Sequence, residues 1–141
     1  MSRLVTPQGD DHPDAASKHL QDAATLLSAG RADGAAYLSG YVVECSLKSL
    51  IQLETGTAGW GHSISDLTRQ VAMLAAVAGA RTARYFGSLT AGVPLSQLSG
   101  WRPELRYRAP SMTVADAQAW HSVADAVFQE TIGQMRLNGE L

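Results

Sequence analysis

The sequence contains a single cysteine, Cys45, among its 141 residues. One cysteine excludes an internal disulfide, and it leaves no cysteine-rich metal site. No stretch approaches the roughly 18 consecutive apolar residues that a membrane-spanning helix needs. The polar N-terminal residues also lack the apolar core of a secretory signal. These absences predict a soluble cytoplasmic domain that is held together by its own hydrophobic core.

β-Branched residues are scarce as well, with 9 Val and 3 Ile against 22 Ala and 16 Leu. Because good helix formers dominate, the composition favours an all-α fold. The formal net charge is only −2. A protein that coats nucleic acid through its overall positive charge is therefore excluded, whereas a local basic patch is not.

Four segments carry apolar residues at three- and four-residue steps, the spacing of an amphipathic helix. The first runs over about 13–29 and follows a polar segment, 1–12, that we expect to be a flexible arm. The second begins at Asp33, a favourable N-cap residue, and ends near Glu54. This second helix is apolar nearly all round, which is typical of the central helix of a bundle.

Two start signals of the form Ser/Thr-x-x-Asp mark the third and last helices, at Ser63 and Thr113. The third helix either ends just before Gly79 or continues past it through Phe86. Residues 87–112 contain three prolines and three glycines and keep no helical period. A segment of this length predicts an irregular crossover that is functional or holds a short extra helix.

These elements together predict one domain over 13–139, an antiparallel four-helix bundle with a long irregular crossover before the last helix. The four histidines show no paired spacing, and the chain has no HExxH, Walker A or GxGxxG motif. We therefore expect neither a metal nor a cofactor.

The second helix carries one polar stripe. Tyr37, Tyr41, Glu44 and Lys48 are spaced by four, three and four residues, so they share one face. One interpretation is an amphipathic edge whose ion pair contributes little. The other is a polar seam that contacts a ligand or a partner. Because an unpaired buried charge costs several kcal/mol, we expect Glu44 to pair with Arg106 of the crossover.

Three arginines and two aromatic residues alternate in the crossover segment WRPELRYR, 101–108. Guanidinium groups bind phosphate through two parallel hydrogen bonds, and aromatic rings stack on bases. The alternative is a structural loop, anchored by Trp101 and Tyr107, whose arginines pair with Glu44, Glu104 or Asp116.

We predict one partly buried, ligand-binding pocket between the second helix and the crossover. Its residues combine phenols, charges of both signs and hydrogen-bond donors: Tyr41, Glu44, Lys48, Arg102, Arg106 and Tyr107. Outside this pocket, His62 precedes a helix N-terminus, where it would meet an anion or bond to its own loop. Cys45 lies in line with apolar residues of the second helix and is expected to be a buried, inert thiol.

The run AAYLSGYVVECSLKSLI, 35–51, resembles the second helix of HEPN domains, which are small all-helical proteins. The His62 loop leading into ISDL and the Arg106-Tyr107 pair are similar too, so the resemblance covers about 13–137. It implies a bundle of four to five helices that is commonly a homodimer. HEPN proteins are often encoded beside a minimal nucleotidyltransferase in toxin–antitoxin pairs. Some are metal-independent ribonucleases, and others are linked to nucleotide binding.

HEPN ribonucleases use an arginine, a spacer of roughly four to six residues and a histidine near the start of the last helix. The chain reads RYRAPSMTVAD there and lacks this motif. The resemblance thus favours a non-catalytic interaction module that dimerises, pairs with a nucleotidyltransferase-like partner and contacts nucleotide or RNA through its arginines. A plain structural subunit is a weaker interpretation. The enzymatic alternative is a divergent ribonuclease whose acid–base groups have moved to His62 and Arg106.

Overall fold

The computed structural model describes residues 1–141 and is all-helical, which confirms the predicted fold class. Its helices are α1 (His12–Ser28), α2 (Ala32–Thr55), α3 (Ile64–Ala75), α4 (Ala83–Gly92), α5 (Val114–Phe128) and α6 (Gln134–Leu137). Two 3-10 turns, Leu95–Leu98 and Pro103–Tyr107, lie between α4 and α5. A π-helical turn, Gln129–Gly133, joins α5 to α6. None of these helices combines the length and hydropathy that crossing a membrane requires.

Helix α2 is the central element, as its apolar surface predicts. It packs against α1, α3 and α5, and most of its side chains are buried. Val42, Val43, Leu47 and Leu50 are fully buried and form the middle of the main core. The polar groups on α2 therefore project from the most deeply buried helix of the fold. The antiparallel order of the bundle stays a prediction.

The two start signals are confirmed as helix caps. The Ser63 hydroxyl accepts a hydrogen bond from the backbone N–H of Asp66 at 3.2 Å, and the Thr113 hydroxyl accepts one from Asp116 at 3.0 Å. Each cap satisfies a donor that the first helical turn would otherwise leave free. The end of the last helix agrees as well, because α6 stops before Asn138.

The predicted N-cap role of Asp33 is wrong. Helix α2 begins at Ala32, after Arg31, so Asp33 lies inside the first turn. Its carboxylate instead accepts hydrogen bonds from the backbone N–H groups of Ser111, at 2.9 Å, and Met112, at 3.2 Å. The side chain thus binds a segment 78 residues away along the chain. A local sequence pattern cannot indicate such a long-range contact.

The continuation of the third helix through Phe86 is also wrong. Helix α3 ends at Ala75, and a separate helix, α4, begins at Ala83. Between them Gly79 has a φ of 79°, in the left-handed region that favours glycine. The crossover accordingly begins only after α4, and its two 3-10 turns confirm that it holds short extra helices.

The segment before α1 folds back on itself. Val5 and Asp11 form an isolated antiparallel bridge. The Asp11 carboxylate accepts hydrogen bonds from the backbone N–H of Ser2, at 2.7 Å, and from its hydroxyl, at 2.8 Å. The flexibility of this arm and the division of the chain at residue 12 stay predictions.

Candidate functional site

Trp101 anchors the crossover to α2. The residue is 2% exposed, and its indole N–H donates a hydrogen bond to the carbonyl of Tyr37 at 2.9 Å. Its ring meets the ring of Tyr41 edge-on, with 4.9 Å between the centroids. The predicted anchor role of Trp101 is therefore confirmed. The same role is wrong for Tyr107, whose side chain projects into solvent with 75% of the residue exposed.

The three arginines of the crossover have no acidic partners. Arg102, Arg106 and Arg108 are all exposed, and none forms an ion pair with a carboxylate, Glu44 and Glu104 included. The guanidinium of Arg106 lies over the Tyr107 ring, 4.8 Å from its centroid. Pairing with Glu44, Glu104 or Asp116, which would make this a purely structural loop, is not what the chain adopts.

Two of these arginines line a cavity of about 500 Å³ between the first turn of α2, the crossover and α5. We call it the arginine cavity, and its polar and aromatic lining residues are Asp33, Tyr37, Arg102, Arg108, Ser111 and Trp120. Two guanidinium groups beside two aromatic rings suit an anion that carries a planar ring. The volume lies within the usual range for small-molecule sites.

Sequence reasoning missed several residues of this cavity. The sequence predicts a helix-cap role for Asp33, and Trp120 has the spacing of the apolar face of the last helix, with Ala117 and Ala124. Tyr37 belongs to the polar stripe of the second helix but is not one of the predicted ligand contacts. An indole in the second turn of a helix, seven residues after the capping Thr113, carries no signal that separates a cavity wall from a core residue.

Glu44 lies at the centre of a second polar group, which we call the Glu44 cluster. Glu44 is 3% exposed. Its Oε1 accepts a hydrogen bond from the Lys48 ammonium at 2.7 Å and lies 2.9 Å from Nδ1 of His62. Because a carboxylate only accepts hydrogen bonds, Nδ1 of His62 carries the proton in this contact. The predicted pairing of Glu44 with Arg106 is wrong.

The predicted single pocket is therefore divided into two places. Tyr41 does face the crossover, close to Trp101 and to the charge of Arg106. Glu44 and Lys48, one and two helical turns further along α2, face the His62 loop instead. The loop of residues 56–63, between α2 and α3, returns over α2 and supplies His62 as the partner of Glu44, so Arg106 has no carboxylate partner and contacts Tyr107 instead. No hydrogen bond joins His62 to Arg106: the imidazole of His62 bonds to Glu44, and the guanidinium of Arg106 lies over Tyr107.

Two further histidines lie on the same side of α2. His12 and His19 of α1 line a cavity of about 250 Å³ together with Tyr41 and Glu44. Burial lowers the pKa of His12, and the positive charge of Lys48 lowers it further. Burial likewise lowers the pKa of His19, with a contribution from Lys18. Both imidazoles therefore favour the neutral form in the folded chain.

This burial predicts that the protein loses stability on mild acidification. The unfolded chain takes up protons on both histidines near their ordinary pKa of 6.5, whereas the folded chain resists until lower pH. The two histidines therefore contribute stability above pH 6.5, and this contribution is lost as the pH falls through their folded-state pKa values. We expect the melting temperature to fall between about pH 7.5 and 5.5, and to fall less in the double variant His12→Gln, His19→Gln. Identical pH profiles for the two proteins would contradict this.

Other ionisable groups near α2 are held neutral. Burial raises the pKa of the Cys45 thiol to about 12, so the predicted buried, inert thiol is confirmed. Burial and the hydrogen bond with Tyr37 raise the pKa of Tyr41 to about 12. No three His, Cys, Asp or Glu side chains converge where they could hold a metal ion.

The family model of the HEPN domain matches residues 11–134, which is most of the chain. No curated protein and no solved structure matches it. The all-helical fold and the matched range agree with the resemblance to HEPN domains over about residues 13–137. The chain belongs to the HEPN domain family.

Proposed function

We propose that this HEPN domain is a non-catalytic binding module that holds a phosphate-bearing nucleotide unit, free or within RNA, in the arginine cavity. The observation that carries the proposal is that the arginines of the crossover have no carboxylate partner, although the protein as a whole is slightly acidic. Unpaired guanidinium groups at the mouth of a cavity are available to an anion at no cost in broken ion pairs.

The aromatic side chains extend the same argument to the base. Tyr37 and Trp120 line the cavity that Arg102 and Arg108 also line. A base that stacks on an aromatic ring typically gains about 1–3 kcal/mol. Tyr107, exposed beside Arg106, offers a second stacking surface outside the cavity. A phosphate alone would leave these rings unused.

The partners belong to the same proposal. Membership of the HEPN family supports a homodimer and a nucleotidyltransferase-type partner, as in toxin–antitoxin pairs, in the cytoplasm. In this scheme the arginine cavity presents a nucleotide unit while the helices form the protein contacts. Helix α2 is covered by three neighbouring helices within one chain, so a dimer would use other faces.

We expect the double variant Arg102→Gln, Arg108→Gln to bind single-stranded RNA at least tenfold more weakly than the unaltered protein. Removing two phosphate contacts should also lower the slope of log affinity against log salt by about 1.4. Fluorescence anisotropy of an end-labelled RNA of mixed sequence measures both quantities.

The matched control is Arg69→Gln, Arg84→Gln, which removes the same charge from α3 and α4. Arg69 pairs with Asp66, and Arg84 lies beside Tyr85. Neither residue lines the arginine cavity. We expect its affinity to stay within about twofold of the unaltered protein, because only general electrostatic attraction is reduced. Equal losses in the two double variants would contradict a site at the crossover.

One observation favours the second candidate, a divergent ribonuclease. The imidazole of His62 is held by a buried carboxylate at Nδ1 and exposes the rest of its ring, an arrangement that suits a general base. We place it second because no arginine accompanies His62. The RNA recovered from the binding assay is expected to be intact. Cleavage that disappears in His62→Ala would instead favour the enzyme.

A further inference from the structure

Asp33 lines the arginine cavity and has hydrogen-bonding capacity to spare. Its Oδ1 accepts the two backbone N–H groups of Ser111 and Met112, whereas its Oδ2 accepts no hydrogen bond in the structure. A carboxylate can accept about four hydrogen bonds. The two hydrogen bonds from the crossover therefore orient the carboxylate and leave Oδ2 available to accept a further hydrogen bond.

The charges of the cavity set the direction in which a nucleotide can lie. Arg102 and Arg108 attract its phosphate, whereas the carboxylate of Asp33 repels it. The end of the ligand that meets Asp33 must then be uncharged and must carry N–H donors. In a nucleotide, that end is the edge of the base. Tyr37 and Trp120 line the cavity with Asp33 and offer the rings on which the base would stack.

We propose that Asp33 is a specificity-determining residue that selects bases carrying an exocyclic amino group. The inference rests on the proposed function, because it assumes that the arginine cavity holds a nucleotide unit. A site that accepts a hydrogen bond from an amino group discriminates against an analogue that lacks the group, since the bound base displaces water from the carboxylate oxygen and then leaves that oxygen unpaired. Bases without that group are correspondingly disfavoured.

The test compares two RNA homopolymers of equal length, one of adenosine and one of purine riboside. Purine is adenine without its amino group, so phosphate contacts and stacking surface are matched. We expect the unaltered protein to bind the adenosine polymer about tenfold or more tightly, as is typical of a hydrogen bond to a charged group. Competition against one labelled RNA gives both affinities.

The decisive variant is Asp33→Asn. Its amide oxygen can still accept the N–H groups of Ser111 and Met112, so the crossover stays attached, but the other position becomes a donor. We expect the preference for adenosine to disappear. Glu104→Gln is the matched control, because it removes the same charge from the crossover without altering a cavity residue, and it should keep the preference.

The possible failures are distinct. If neither polymer binds, the proposed function itself is wrong. If both bind with equal affinity to the unaltered protein, the arginines hold phosphate but Asp33 does not select the base, and only this inference fails. If Asp33→Asn keeps the preference for adenosine, another residue makes the selection and the assignment to Asp33 is overturned.

Discussion

Replacing Gly40 with alanine is expected to lower the free energy of unfolding by about 3 kcal/mol or more, the upper range for overpacking a core. A Cβ atom at Gly40 would overlap Nε1, Cδ1 and Cε2 of the Trp101 ring. The ring cannot move aside easily, because it is buried and its N–H is hydrogen-bonded to the carbonyl of Tyr37. Either the indole leaves its place or α2 shifts.

Thermal unfolding of Gly40→Ala should show a fall in melting temperature of about 10 °C for a chain of this size. The control is Gly87→Ala, inside α4, where an added Cβ meets nothing within 4 Å. That change should be neutral or should stabilise by about 0.5–1 kcal/mol, because glycine loses more conformational freedom on folding than alanine. Equal melting temperatures for the two variants would show that Trp101 does not pack against Gly40.

The Gly40 contact also shows which parts of this fold were open to prediction. Helices α3 and α5 begin where Ser63 and Thr113 indicate, because a capping hydroxyl and the N–H that it accepts are three residues apart. The packing position of Trp101, in contrast, depends on Tyr37 and Gly40, which lie more than 60 positions away in the sequence. Nothing in the sequence around Gly40 shows which ring will lie against it.

In the candidate site, too, contacts between residues close in sequence could be predicted, whereas contacts between distant segments could not. Glu44 and Lys48 were recognised as a pair because their spacing alone places them together on a helix. For His62, the third member of that group, the sequence predicts a contact with an anion or with its own loop. Complementary charge predicts Arg106 as the partner of Glu44. Charge complementarity identifies candidate partners, but only the path of the loop between α2 and α3 decides which of them pairs with Glu44.

The other large effect is expected from Glu44→Ala, which should cost about 3–5 kcal/mol, the usual loss when one partner of a buried ion pair is removed. The side chain of Lys48 is 12% exposed and its ammonium has no other acidic partner, so the change leaves the ammonium poorly solvated and unpaired. His62 also loses the acceptor that holds its ring. Urea unfolding near neutral pH measures the change in stability.

Two controls assign that loss to the unpaired ammonium. Asp66→Ala removes a carboxylate from the exposed pair with Arg69 and should cost under about 1 kcal/mol. Adding Lys48→Met to Glu44→Ala should recover part of the loss, because an apolar side chain of similar length replaces the stranded charge. If the double variant is no more stable than Glu44→Ala alone, the ion pair is not what Glu44 contributes.

Glu44→Ala also tests whether the Glu44 cluster and the arginine cavity act independently. The Glu44 cluster and the arginine cavity share no residue, so Glu44→Ala should bind RNA with unchanged affinity when assayed well below its melting temperature. A single pocket spanning α2 and the crossover predicts the opposite, since Glu44 would then hold an arginine in place for the ligand. A loss of RNA affinity of tenfold or more in folded Glu44→Ala would restore the single pocket and remove the basis for treating the arginine cavity as a site of its own.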